Sequence, residues 1–201
     1  MVTEPVAGVY DITCTETDDD PGRIRAYLTD DGTLVDTGLT GTTDTLLAGI
    51  TEVGVAVERV VITHTDPDHI GGIKAVVEAH DSTVYLPEGA DHPTADVFYG
   101  EGDTVGPFEA VHVPGHRDHQ HVLVATDEGY AVLADALSGA DQRGLSGGFH
   151  LPPGKFTDDL NEAERSLEKL LDYEFEAGLV FHGSSVLEGA SETLEQYVLP
   201  P

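Results

Sequence analysis

The stretch from Ile62 to Gly72, ITHTDPDHIGG, constrains this chain more than any other. The apolar, β-branched run RVVI leads into it as a strand, and the residues from about Gly71 to His80 read as a helix. Pro67 disfavours a helical conformation at Asp66, so residues 64–66 leave the strand extended, with His64 and Asp66 projecting the same way. Asp68 and His69 then stand at the start of the helix, and Gly71 and Gly72 let that backbone pack closely. Four acid and imidazole groups crowded at one strand end are costly without a cation to share. The plainer reading, a polar loop with a capping aspartate and surface histidines, suits any one of the four better than all four together.

The rest of the chain alternates strands with helices. AGVYDITC, RIRAYLT, GTLVDTG, STVYLP, FEAVHVPG, HVLVATD, YAVLADA and GLVFHG read as further strands. Helices are expected over LTGTTDTLLAGITEV, from near Thr157 through Leu160, Ala163, Leu167, Leu170 and Leu171, and over ASETLEQYVL. Hairpins first, then helices interleaved with strands, suggest stacked sheets covered by helices, and residues 1–201 read as one domain. Three more apolar strands end on a metal-competent residue: His116 after VHVPG, Asp135 in YAVLADA and His182 in LVFHG. Cys14 is the sole cysteine, so any metal must take His and carboxylate ligands.

In their order along the chain, GTLVDTG, THTDPDHIGG, VPGH, LADA and FHG resemble the metallo-β-lactamase fold superfamily. The resemblance implies an α/β fold, a four-layer αββα sandwich of two mixed β-sheets flanked by helices. It implies one metal site from His64, Asp66 and His116, and a second from Asp68, His69 and His182, with Asp135 bridging and Asp36 beneath the metals. The metals would be two divalent ions, zinc first, with iron or manganese as alternatives. Asp66 departs from the family pattern, where a third histidine is usual. With Asp66, Asp68, Asp135 and a hydroxide, two divalent ions are fully neutralised. A histidine at 66 would leave one positive charge. The carboxylate therefore predicts a weaker Lewis acid and a shift toward harder metals.

The function implied is metal-dependent hydrolysis of a small ester, thioester or lactone, with Asp68 orienting the water and taking its proton. An iron-dependent redox enzyme of the same fold and a metal-binding protein without turnover stay open beside it. The expected partner is a small molecule. Nucleic acid is not expected, because 9 Lys and Arg against 38 Asp and Glu leave no basic stripe for phosphates. A formal net charge of -29 predicts a high-salt cytoplasm, and the absence of an apolar leader or long apolar run predicts a soluble, cytoplasmic chain without a membrane span. His119 and His121 read as surface histidines of an edge strand, His80 and His92 as solvent-facing, and Ser184 and Ser185 as turn residues. His150, Phe149, Arg143, Lys155, Tyr99 and Phe98 fall in expected loops, either lining a pocket or simply packing. Cys14 reads as a small apolar residue in a strand.

Overall fold

The computed structural model describes residues 1–16, 22–140 and 144–199. Two compact units divide the chain, Met1–Tyr99 and Gly100–Pro201, each built on one mixed sheet.

The first unit holds β1 (Val2–Val6), β2 (Val9–Glu16), β3 (Arg23–Thr29), β4 (Thr33–Val35), β5 (Arg59–Val61), β6 (Thr83–Pro87) and β7 (Val97–Tyr99), paired in chain order. The pairs from β1 to β4 are antiparallel and those from β4 to β7 parallel. Hairpins can join antiparallel neighbours, whereas parallel ones need a crossover; those from β4 to β5 and from β5 to β6 are helical, and β6 reaches β7 through an irregular loop. α1 (Thr43–Val53) lies between β4 and β5; α2 (Pro67–Ile70) and α3 (Ile73–His80) lie between β5 and β6. Leu46 and Ile50 of α1 and Ile73 and Val76 of α3 pack with Ile12, Ile24, Leu28, Val60 and Val84 into one apolar cluster. The other sheet face is buried too, at Arg25, Tyr27, Thr33, Val35 and Val61, so the central strands are covered on both faces.

In the second unit β8 (Thr104–Val105), β9 (Phe108–His112), β10 (His121–Ala125), β11 (Tyr130–Ala134) and β12 (Ala177–Val180) form a five-stranded sheet in the order β12-β11-β10-β9-β8. Only β11 and β12 run parallel. α4 (Leu160–Ser166) leads into a 3₁₀ segment (Leu167–Asp172), which with α5 (Ala190–Val198) supplies Leu167, Leu170, Ala190 and Leu194 to a cluster with Val111, Val122, Val124, Leu133 and Val180.

Several elements differ from expectation. β1, β7 and β8 are strands that two- to five-residue windows do not announce. The helix expected from near Thr157 starts three residues later, because Asp159 caps it by accepting from the amides of Asn161 and Glu162. It then tightens to a 3₁₀ turn after Ser166, whose hydroxyl bonds the carbonyls of Ala163 and Pro114. The helix expected from about Gly71 to His80 begins at Ile73, and a separate short helix, Pro67–Ile70, precedes it across Gly71 and Gly72. A Cβ on Gly71 would stand 2.1 Å from the Thr40 amide nitrogen, so close backbone approach demands glycine there. His121 is the main correction among single residues: it is 2% exposed, on the central strand of its sheet.

Candidate functional site

Parallel strands deliver their carboxyl ends to one sheet edge, where binding residues collect. In the first unit Val35 and Val61 are register partners, so Asp36 and the segment 62–64 leave β4 and β5 side by side. Asp36 is fully buried, with a left-handed φ of 57° that its short polar side chain tolerates. Its carboxylate accepts from Thr63 N at 2.8 Å, from Thr63 Oγ1 at 2.7 Å and from His69 Nδ1 at 2.7 Å. With Thr63 Oγ1 donating to Asp36, its lone pairs face His64 Nδ1 at 3.2 Å. Both imidazoles thus spend Nδ1 on the protein and keep Nε2 as the ligand atom.

The Thr37 amide and hydroxyl bond the His69 carbonyl at 2.7 and 2.8 Å, fixing α2 against the turn after β4. The rings of His64 and His69 lie 3.9 Å apart between centroids, so both carrying charge would be costly. His64 Nε2 stands 3.7 Å from Asp66 Oδ2, and the ligand atoms of Asp68 and His69 lie within 4.8 Å of each other. Beneath them Tyr99, buried at the end of β7, donates its hydroxyl to the Ile62 carbonyl at 2.7 Å. Burial, and secondarily the Asp36 charge, hold its phenol well above the ordinary range, so it remains a donor.

The second unit gathers its residues the same way. Ala134 pairs with Val180 across parallel strands, and the turn from β9 to β10 lies at the same sheet end. Ala134 has a φ of 48°, a conformation an alanine enters at a cost of roughly 1–2 kcal/mol, and Asp135 follows it directly. His116 Nε2 and His182 Nε2 lie 3.5 and 3.4 Å from one atom, Asp135 Oδ2. Two donors each about 2.1 Å from a shared ion at a tetrahedral angle stand roughly 3.4 Å apart. One carboxylate oxygen at that spacing from two imidazoles fits a bridge between two ions, each also bound to one histidine. Among the described residues the metal-competent side chains are therefore His64, Asp66, Asp68 and His69 in the first unit and His116, Asp135 and His182 in the second.

The remaining sequence candidates take plainer places. Phe149 is buried in the apolar cluster of the second unit, and Cys14 in that of the first, where burial pushes its thiol up to about 11. Ser185 Oγ accepts from the Val180 amide, which makes it a turn residue; Ser184 is exposed. Phe98 and Lys155 are exposed and His150 is half-buried, as are His80, His92 and His119. Arg143 lies outside the described residues. Sequence reasoning missed Thr63, Thr37 and Thr157, which hold histidines or their backbone; Thr63 alone had a signal, its place inside the motif.

Residues 22–102 match the sequence pattern of the Metallo-beta-lactamase superfamily. A Drosophila melanogaster protein named Beta-lactamase-like protein 2 homolog is 28% identical over 163 residues, 71% of this chain and 50% of the relative. The chain thus spans about half the length of the curated relative it matches. Among solved structures, a beta-lactamase domain protein from Burkholderia ambifaria superposes with a TM-score of 0.75 at 19% identity, covering 97% of this chain and 74% of that one. TTHA1623, solved in a di-iron-bound form, gives 0.68 at 23% identity over 92% of this chain and 98% of its own. The family match covers residues 22–102, and over nearly its whole length the chain shares the fold of metallo-β-lactamase proteins. The mixed α/β architecture read from the motifs is borne out. No helix among the described residues is long and apolar enough to cross a membrane.

Proposed function

We propose that this chain is a metal-dependent hydrolase acting on a small ester, thioester or lactone. One divalent ion would be held by His64, Asp66 and His116, the other by Asp68, His69 and His182, with Asp135 bridging. This ligand map follows the superfamily's motif order, and the observation that supports it best is the shared approach of His116 and His182 to Asp135 Oδ2. The donor set of four imidazoles and three carboxylates suits zinc, and Asp66 makes iron or manganese the main competitors.

When bound, the ions would supply Lewis acidity and a water of lowered pKa. Asp68, half-buried beside His69, would orient the attacking water and take its proton. Asp36 and Thr63 would keep His69 and His64 in the tautomers that present Nε2. The partner expected is a small molecule, and the cytoplasm is the expected compartment. A second reading, iron-dependent redox chemistry, is favoured by the oxygen ligand at 66 and by the di-iron form of TTHA1623.

The test is elemental analysis of protein purified in high salt without chelator, joined to an ester, thioester and lactone panel. The hydrolase reading expects about two zinc per chain, turnover on the panel and loss of most metal from one site in His116→Ala. Iron with visible absorbance would replace it with the redox reading. Metal without turnover would leave a binding role, and absent metal would end all three.

A further inference from the structure

The turn Val113–Arg117 carries His116, and a segment more than thirty-five residues later in sequence is fastened to it. The Asp159 amide donates to the Gly115 carbonyl at 2.9 Å and the Asp158 amide to the His116 carbonyl at 3.3 Å. Ser166 Oγ donates to the Pro114 carbonyl at 2.7 Å. Gly115, at φ 128°, lies so close to the start of α4 that a Cβ would stand 2.1 Å from the Ala163 amide nitrogen. Arg117 closes the arrangement: its Nη1 donates to the His116 carbonyl at 2.6 Å and the Phe156 carbonyl at 2.7 Å, and pairs with Asp158 at 3.3 Å. A single guanidinium nitrogen thus bridges the backbone of the His116 turn and the backbone of the 153–159 segment.

Those bonds bring Thr157 to His116. Thr157 is 9% exposed, and its Oγ1 donates to the Pro153 carbonyl at 3.3 Å, which turns its lone pairs toward His116 Nδ1 at 3.4 Å. An acceptor on Nδ1 selects the tautomer with the proton there, leaving the Nε2 lone pair aimed at the Asp135 side. At 3.4 Å the contact is long, so its orientation depends on the backbone bonds around it. His64 has an equivalent partner beside it in Thr63, whereas His69 and His116 take theirs, Asp36 and Thr157, from 33 and 41 residues away.

We propose that Thr157 is a positioning residue that sets the tautomer and ring plane of His116, with Arg117 holding the 153–159 segment in place for it. The inference rests on the reading of His116 as a metal ligand and adds residues that no motif assigns. Outer partners of metal-binding histidines typically change metal affinity by about 10–100-fold when removed.

The experiment is zinc binding by the whole chain at fixed pH against a chromogenic chelator, with thermal midpoints of each metal-free protein measured beside it. Thr157→Val removes the acceptor at nearly constant shape, Thr157→Ser restores it, and Arg117→Met releases the segment. Glu168→Gln serves as a control, since Glu168 is exposed. One of two zinc ions should bind about tenfold or more weakly in Thr157→Val and Arg117→Met, with wild-type affinity in Thr157→Ser and Glu168→Gln. The metal-free midpoint of Thr157→Val should match that of the wild type. Unchanged affinity in Thr157→Val, or a midpoint that falls in step with affinity, would overturn the proposal while leaving the metal reading intact. A wild type that binds no zinc would overturn both.

Discussion

Asp66 sits two residues after His64, its Oδ2 3.7 Å from His64 Nε2. Its charge decides how much positive potential two divalent ions would retain. With three carboxylates and a hydroxide they would retain none; with histidine at 66 they would retain one unit, and water activation follows that potential. Asp66→His is expected to raise hydrolytic turnover about tenfold, or ~1.4 kcal/mol of barrier, measured as kcat on the best panel substrate at matched metal content. Equal or lower turnover at full occupancy would count against the charge argument. The metal-competent side chains were legible because each follows an apolar run, which the residue alphabet displays directly. Their orienting partners were mostly not, since Asp36 and Thr157 meet their histidines across 33 and 41 residues.

At the level of elements, β9 and β10 carry a titratable group the sequence misread. His121 and His112 are register partners with ring centroids 5.0 Å apart. Burial is the main reason His121 falls from its ordinary value to about 4; His112 and Lys169 push it down further, against the His119 carbonyl and Glu101. Between that value and the unfolded value near 6.5, the unfolded chain binds a proton that the folded chain excludes. The stability from keeping this ring neutral is therefore full above about pH 6.5 and is lost as pH falls toward 4. His121→Gln should flatten that loss relative to wild type, read from urea midpoints at intervals between pH 7 and 4.5 with chelator present. Parallel curves for the two proteins would show that His121 does not titrate as its burial implies. The misreading has a plain cause: His121 stands at the polar end of HQHVLV, where a histidine is by default exposed, but β10 is central and all five of its residues are buried.

Over the whole molecule, the governing quantity is a formal charge of -29. Screening shortens from about 10 Å at 0.1 M salt to about 3 Å at 1 M, so self-repulsion among surface carboxylates should fade across that range. The thermal midpoint is expected to rise with sodium chloride, by about 2–4 °C for each kcal/mol of repulsion relieved in a chain of this size. Sucrose at matched water activity should not reproduce the rise. A midpoint flat in salt, or equal gains in sucrose, would mean that repulsion is not what limits stability.

The sequence by itself displayed which side chains are competent to ligate a metal, where most of the buried strands run and that any ligands would be imidazoles and carboxylates. These are local properties, written in the composition of runs of a few residues and in their spacing. The tertiary structure alone decided which of those residues share an edge and what fixes each ring. Sheet order, register and the left-handed turns at Asp36 and Ala134 arise from pairing between distant segments. Thr157 is the clearest case: nothing near it in sequence distinguishes it, and it matters because the backbone bonds of its segment bring it to His116.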